Sequence, residues 1–367
     1  MVEWKKLGEV CEFERGRTIT AKDAVDGDIP VIAGGQTPSY YHNEANREGE
    51  SITVAGSGAY AGFVSYWNQP IFVSDAFTVE PKELLSHKYL YHWLKKNQEK
   101  IHATQKGAGV PHVHGKDIAN FLIPIPSLEE QERIVGILDT FTASIDNIKA
   151  QIEQRRKQYE HYRNTLLTFS KDDDSVEWKT LEDIFELRNG YTPSKANSEF
   201  WTDGTIPWFR MEDIRDKGRI LSDSYLHITE SAIKGKGLFK ANSFILATTA
   251  TIGEHALLIA DSLANQQFTN LKIRKSLINN IDIKFMFYYM FVVDEFCKSH
   301  TNVSGFASVD MNALKRMAIP IPSLARQQEI VSTLDTFEAS ITNLEAQLEQ
   351  RQKQYEYYRE ELLTNLS

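Results

Sequence analysis

Three Glu-x-Lys triplets are the first places to look for chemistry: Glu3-Trp4-Lys5, Glu80-Pro81-Lys82 and Glu177-Trp178-Lys179. A metal-dependent nuclease joins such a triplet to an Asp well upstream. The middle one has an Asp before it, Asp75, but that separation is too short. His112-Val-His114 sets two imidazoles on one face of a strand, but no Cys or carboxylate cluster joins them, which reads as turn or core histidines. Two cysteines, Cys11 and Cys297, make neither a disulfide framework nor a four-ligand zinc site and are read as core. Gly56-x-Gly58-x-x-x-Gly62 has the wrong last spacing for a dinucleotide fingerprint, and Gly109 to Lys116 is a poor phosphate loop, with Asp117 where Ser or Thr is needed. No two of the 11 prolines are adjacent, so an Asn/Asp-Pro-Pro-aromatic methyltransferase motif is absent, as is a Gly-x-Ser-x-Gly elbow. No catalytic constellation emerges, and a chain with no metal or cofactor of its own is expected.

What remains is basic and polar. Clusters occur at Arg15, Arg17 and Lys22, at Lys95, Lys96, Lys100 and Lys106, at Arg210, Arg215, Lys217 and Arg219, and at Lys234, Lys236 and Lys240. Each taken alone suits a solvated face. Arg15, Arg17 and Arg210, however, lie in turns rich in Gly, Thr, Gln and aromatics, which suits contacts to phosphates and base edges.

The elements that position these turns are written twice. Val2-Glu-Trp-Lys-Lys-Leu7 returns as Val176-Glu-Trp-Lys-Thr-Leu181, and Ile123-Pro-Ile-Pro-Ser-Leu128 as Ile319-Pro-Ile-Pro-Ser-Leu324. The first offset is 174 and the second 196, so the second copy carries 22 extra residues in its middle. The domains expected are 1–127, 128–173 (a helix and linker), 174–323, and 324–367 (a second helix). The globular parts mix β-type runs (Ser51–Ala55, Ile71–Ser74, Ser243–Ala247) with Gly-rich turns. Residues 128–168 and 324–364 lack Pro and hold one Gly, Gly136, with Ser127 and Ser323 as candidate N-caps.

Both helical stretches keep a 4-3 apolar spacing over more than four heptads, a coiled-coil pattern. The expected seam includes Leu138, Phe141, Ile145 and Ile152 in one helix and Leu334, Phe337, Ile341 and Leu348 in the other. Arg155 and Arg351 interrupt it at matching places, with heads expected to snorkel to water; a polar layer that sets register is the sharper reading. Each helix makes a rod of roughly 60 Å. A domain of ~150 residues is roughly 35–40 Å across and cannot carry the chain back along it. The helices are therefore expected to run antiparallel. The fold class expected is α+β: two α/β domains at opposite ends of an antiparallel two-helix coiled coil, related by a pseudo-twofold.

Length supports this division, since 367 residues exceed one typical core. The opening MVEWKKLGEV has no apolar leader segment, and the longest apolar run, Met286 to Val293, is too short to span a membrane, so a cytoplasmic protein is expected. The formal charge of −9 argues at first against nucleic acid. The helical segments and linker account for −7 of it, which leaves the globular domains near neutral with room for basic surfaces.

Taken together, the duplicated opening Val-Glu-Trp-Lys-x-Leu…Gly-x-Thr and closing Ile-Pro-Ile-Pro-Ser-Leu-x-x-Gln resemble the specificity subunits of Type I restriction–modification systems. Ile29-Pro30, Ile206-Pro-Trp-Phe-Arg-Met-Glu-Asp-Ile214, Ala250-Thr-Ile-Gly253, Phe77 and Phe268 add to the likeness, which runs over essentially the full length. The resemblance implies two target-recognition domains, each reading one half of an interrupted DNA target in the major groove, and a helical pair that sets the spacing. It implies as partners double-stranded DNA, two methyltransferase subunits and two restriction/translocase subunits. It places the S-adenosylmethionine, ATP and Mg sites on those partners, so this chain is a non-catalytic subunit. The unequal domains suggest two unlike half-sites. The methyltransferase is expected on the acidic helices, over Val135 and Ile137.

Aligning the copies sets Gly34, Gly35 and Gln36 beside Met211, Glu212 and Asp213, Ser57–Tyr60 beside Thr249–Ile252, and Asp75-Ala-Phe77 beside Gln266-Gln-Phe268. The segments Lys106–His114 and Asn302–Asp310 close each domain. The DNA-contact candidates are Arg15, Arg17, Gln36, Ser57, Tyr60, Lys106 and His112 in the first copy. In the second they are Arg188, Tyr191, Arg210, Glu212, Arg215, Thr249, Thr251, Gln267 and Asn302. Arg15, Arg17, Arg188 and Arg210 are expected on phosphate or guanine; for each polar residue a turn-stabilising role is the competing reading. Three other functions stay open at this point: the specificity chain of a Type IIB-like system with a fused methyltransferase–nuclease partner, an enzyme with an unrecognised nuclease site at Glu80, and a coiled-coil scaffold that binds only protein.

Overall fold

The computed structural model describes residues 2–107, 109–302 and 307–364. Part of the expected closing segment Asn302–Asp310, residues 303–306, lies outside them, as do residue 108 and the chain ends. The contacts divide the chain into two compact units, Met1–Ile152 with Asn343–Ser367, and Glu153–Thr342.

In the first unit, β1 (Glu3–Lys6) leads through a single helical turn, α1 (Leu7–Val10), into β2 (Cys11–Arg15). A small sheet follows from β3 (Ile29–Ile32) and β4 (Tyr40–His42), and the main strands are β5 (Glu50–Ala55) and β6 (Val64–Asn68). Then come β7 (Phe72–Val73), β8 (Ala76–Pro81), α2 (His87–Lys96), α3 (Gln98–His102), α4 (Gly115–Ile118) and β9 (Leu122–Ile125). The run expected at Ile71–Ser74 forms a strand only at Phe72 and Val73. The main sheet has the order β2-β8-β5-β6 and the smaller one β4-β3-β7, while β1 and β9 pair antiparallel from Glu3↔Ile125 to Lys6↔Leu122. From Ser51 onward β5 is buried on both faces, which explains why it reads as a continuous apolar run rather than an alternating one. One face meets α2 through Tyr89, Leu90, Trp93 and Leu94.

The chain then enters α5 (Leu128–Leu166) and repeats the plan in the second unit. The opening elements are β10 (Glu177–Thr180), α6 (Leu181–Ile184), β11 (Phe185–Asn189), β12 (Ile206–Phe209), α7 (Met211–Lys217), β13 (Ile220–Leu221) and β14 (His227–Ile228). They are followed by β15 (Ser243–Ala247), β16 (His255–Leu258), β17 (Leu263–Ala264), β18 (Phe268–Ile273) and α8 (Ile283–Ser299). The unit closes with β19 (Thr301–Asn302), β20 (Ser308–Val309), α9 (Met311–Arg316), β21 (Ala318–Ile321) and α10 (Leu324–Thr364). The sheets are β11-β18-β15-β16-β13 and β14-β12-β17. The fifth strand, β13, and the helix α7 before it lie within the part the second copy adds. The apolar run at Met286–Val293 lies in α8, buried except for the half-buried Phe291 and Val292, and the helix is capped by Asp282, whose carboxylate accepts from Lys284 N and Phe285 N. No helix among the described residues is long and apolar enough to cross a membrane.

The long helices start where the prolines and serines place them. Ser127 Oγ accepts from Glu130 N at 3.3 Å and Ser323 Oγ from Arg326 N at 3.4 Å. Four residues past each serine, a glutamine ties the helix to its unit. Gln131 Nε2 donates to Leu84 O and Pro126 O while its Oε1 accepts from Ser86 N. Gln327 does the same with Asn280 O, Pro322 O and Asp282 N. Both glutamines are fully buried.

In each unit the beginning of one long helix lies against the end of the other, the antiparallel pairing expected. Ile134 and Leu138 share the first unit's core with Leu363, and Ile330 and Leu334 share the second's with Leu167. The ring pair Phe141–Tyr358, 5.2 Å between centroids, is mirrored by Tyr162–Phe337 at 5.1 Å. Ile145 and Ile152 are buried, while Ile341 and Leu348 are half-buried. The seam arginines are half-buried, and each lies beside a ring of the other helix. Arg155 on α5 lies over the Phe337 ring of α10 and Arg351 on α10 over Phe141 of α5, at 5.8 and 5.6 Å, so each guanidinium meets an aromatic face of the facing helix. Val135, expected on an outer docking face, packs partly against its own unit's core.

Candidate nucleic-acid interface

In the first unit the strand ends of β2, β5 and β8 gather three turns. Gly56 N donates to Asp75 O, Val113 N to Gly56 O and Gly58 N to Pro111 O, so the turns after β5 and before β8 and the segment 111–113 form one ledge. Gly34 fits because a Cβ there would lie 2.4 Å from Ser57 O, which brings the loop carrying the exposed Gln36 against the same ledge. A cleft of about 420 Å³ opens between Arg15, Asp75, His112, His114 and Lys116. Of the sequence candidates, Arg15 and His112 line it and Ser57 borders it, its Oγ bonded to the Asp75 carboxylate. Tyr60 stands 47% exposed on the turn after β5.

Other candidates are partly engaged within the chain. Lys106 is paired with Asp117, and that contact is the largest cause holding the Asp117 carboxyl below the usual range. Arg17 lies over the Phe72 ring at 5.1 Å, with Glu44 at 3.8 Å. The two imidazoles of His112 and His114 stack at 6.3 Å. Both cysteines are buried, and desolvation pushes each thiol up to about 12.

The second unit builds the equivalent ledge. Thr248 N donates to Gln267 O, Val309 N to Thr248 O, and Thr249 and Asn302 both pair with Ser308. Thr249, Gln267 and Asn302 are thus brought together, with Thr251 on the same turn. Ala250, at the tip, holds φ +62, where the first unit has Gly58 at φ +85. A non-glycine residue held left-handed in such a turn is strained, and strain of this kind collects at functional loops. The ladder also corrects the sequence alignment by one residue. Gly16 N donates to Ala76 O and Gly190 N to Phe268 O, so Asp75 matches Gln267, not Gln266. Gln266 is the residue the second copy inserts, and it accepts from Thr192 Oγ1 at 2.5 Å.

The remaining candidates sit apart from that ledge in their bonding. Tyr191 spends its hydroxyl inside the fold, donating to Ala232 O and accepting from Lys234 N. Arg210 precedes α7 and pairs with the exposed Glu212 at 2.5 Å, and Arg215 reaches Glu254 at 3.9 Å. Arg188 lies over the Phe239 ring at 4.4 Å beside a different cleft. Asp75 and His114 lay in the aligned segments without being named as contacts, and Lys116 was missed by the sequence reading; only its place beside the paired turns would have singled it out.

Comparisons with known proteins agree with this geometry. The family model "Type I restriction modification DNA specificity domain" matches residues 1–155 and again 174–353. The EcoprrI specificity subunit of Escherichia coli is 50% identical over 200 residues, covering 52% of this chain and 50% of that subunit. The EcoR124I/EcoR124II specificity subunit, also from Escherichia coli, is 32% identical over 99% of this chain and 94% of its own length. In structure, the S subunit of M. genitalium superposes with TM-score 0.62 at 17% identity, over 100% of this chain and 97% of that one. A chain from a structure described as the basis of complex assembly and conformational transition of the type I R-M system gives TM-score 0.65 at 18%, over 99% and 97%. With two matched specificity domains, each built on the same ladder, the chain belongs to the family of Type I restriction–modification specificity subunits.

Proposed function

We propose that this chain reads a bipartite DNA sequence, each unit contacting one half-site through its ledge of turns while the paired helices fix the gap between halves. The observation that carries the reading is that the same ladder presents unlike side chains: Ser57, Asp75, Lys106 and His112 in one unit, and at the matching stations Thr249, Gln267, Asn302 and Ser308 in the other. A rigid frame with exchanged polar tips is how two different sequences are read by one architecture. Double-stranded DNA, two methyltransferase subunits and two restriction/translocase subunits are the partners in this reading. The chain itself is non-catalytic and cytoplasmic, and S-adenosylmethionine, ATP and Mg act on the partner subunits. The methyltransferase docks on the helices, over Ile137 and what Val135 leaves uncovered.

The test is selection of bound duplexes from a random pool by this chain with its methyltransferase. The expected product is a motif of two unlike halves with a fixed gap, and exchanging residues 174–323 for those of another specificity subunit should change one half only. A pool that stays random, from a folded complex, rejects the reading. Arg15→Ala, Arg17→Ala, Arg188→Ala and Arg210→Ala then sort the site map, since four variants of unchanged affinity would discard it.

A further inference from the structure

The two units differ at one matched station on their sheet edges. In the first, Glu14 on β2 stands opposite Thr78. Arg47 reaches it from a segment that pairs with Ile71. Arg47 Nη2 lies 3.0 Å from the Glu14 carboxylate, its Nε donates to Thr78 Oγ1 and its Nη1 to Asn46 O. That guanidinium is half-buried and satisfied by an anion the chain supplies.

In the second unit the same ladder places Arg188 where Glu14 stood, opposite Asn270, and Phe239 where Arg47 stood, paired with Ser262. The built-in acid is gone and the arginine has changed sides. Arg188 stacks on Phe239 at 4.4 Å, and its Nη2 is shut off from solvent with no hydrogen-bond partner. A cleft of about 230 Å³ opens beside it, lined also by Lys236, Lys240 and Lys272. Glu186 is the one acid among the described residues of that lining, and it is exposed on β11. Lys240 is shared with Asp261 at 2.6 Å, while Lys236 and Lys272, the latter opposite Glu186 on the ladder, line the cleft without an ion pair of their own among the described residues.

We infer that this cleft is a seat for a phosphate-type oxyanion, supplied by a DNA phosphodiester, filling the role that the Glu14 carboxylate fills in the first unit. The inference rests on the DNA-reading proposal above. A guanidinium held flat by an aromatic ring keeps its charge in a fixed place beside the cleft, and the lysines add point charge around it. Seated this way, the contact positions the second unit on its half-site without reading a base. The first unit, with the station closed by its own carboxylate, has no such anchor there.

The experiment measures affinity of the full chain, with its methyltransferase, for a duplex of about 30 base pairs carrying the selected motif, across a salt series. Each phosphate contact adds roughly 0.9 to the log–log salt slope. Arg188→Gln is expected to weaken binding about tenfold and to lower the slope by about one, the signature of a lost phosphate contact rather than a lost base contact. Lys236→Gln combined with Lys272→Gln, the first exposed and the second half-buried on β18, should do the same while leaving the Arg188–Phe239 stack in place, so a misfolded arginine variant does not leave the question open. If the wild-type complex ignores duplex DNA, the DNA-reading proposal itself fails. If it binds but both variants keep affinity and slope, the seat is wrong and the reading stands. Inorganic phosphate is the third probe: if it binds in an Arg188-dependent way while duplex binding is indifferent to both variants, the seat serves a free anion and the phosphodiester assignment falls.

Discussion

The two units share a ladder but not a chemistry, and the difference is concentrated where side chains meet the strand ends. At the turn between β5 and β6 in the first unit, Gln98 Oε1 accepts from Val64 N and its Nε2 donates to Gly62 O. At the matching place in the second, between β15 and β16, His255 and Asp294 do the equivalent joining. His255 Nδ1 lies 2.7 Å from the Asp294 carboxylate, which Arg219 also approaches at 3.2 Å. A neutral amide has been exchanged for an ionic group in an aromatic surround, with Phe287 and Phe291 edge-on to the imidazole. By contrast the helix anchors, Gln131 and Gln327, make the same three bonds to backbone groups at matching positions. Duplicated copies therefore kept what binds each unit to its helix and diverged in what each unit presents.

The largest effect is expected where the copies agree. Gln131→Ala leaves Ser86 N, Leu84 O and Pro126 O without their partner, and Gln327→Ala does the same to its own set. A buried group stripped of its bond costs ~1–3 kcal/mol. Each variant should therefore lose about 3 kcal/mol after partial relaxation, read from the denaturant midpoint of the affected unit. Equal losses in the two units would confirm a shared anchor. A loss in one alone would break the equivalence.

The next effect separates the units. Burial is the main influence on His255 and lowers its pKa, against the pull of Asp294. The folded second unit thus holds it neutral while the unfolded chain takes up a proton below about pH 6.5. With more protons bound in the unfolded state, stability falls as pH drops below that value, by about 1.4 kcal/mol per pH unit until the folded pKa is reached. The first unit has two opposed histidines. Burial lowers the pKa of His92, whereas a hydrogen bond to Glu80 raises that of His87, whose contribution is present at low pH and fades as pH rises. Melting from pH 7 to pH 5.5 should therefore hurt the second unit more, and His255→Gln should flatten its profile toward that of the first. A second unit no more acid-sensitive than the first would remove His255 from this role.

Much of this was legible in the chain itself because the repeat let each copy annotate the other. The helix starts at Ser127 and Ser323 and the antiparallel seam followed from capping chemistry, heptad spacing and rod length. The strand Ser51–Ala55 followed from its apolar run. The interface was less legible, and the reasons are local. Gln266 is an inserted residue that no pattern marks, so the alignment slipped by one at Asp75. Tyr191 and Lys106 have the right types for DNA contacts, but their partners, Lys234 N and Asp117, come from elsewhere in the chain. Arg188 looked like the other arginines until the ladder set it against Glu14 of the first unit.

The smallest effect tests the turn tips, where the same backbone carries glycine in one unit and alanine in the other. Gly58 and Ala250 both sit in the left-handed region, at φ +85 and +62. A Cβ added at Gly58 meets nothing within 4 Å, so Gly58→Ala changes only conformational energy. The left-handed penalty of ~1–2 kcal/mol is offset by ~0.4–1 kcal/mol from the stiffer unfolded chain, leaving a loss of about 1 kcal/mol. Ala250→Gly runs the balance the other way and should gain about 0.5 kcal/mol or nothing, because the released strain is set against a looser unfolded state. The sharper reading comes from DNA binding. If the strain at Ala250 holds Thr249 and Thr251 in their bound arrangement, Ala250→Gly should raise the melting temperature of the second unit slightly while weakening its half-site alone. A variant that melts higher and binds equally well would make the strained alanine a tolerated accident of divergence, and the two tips interchangeable.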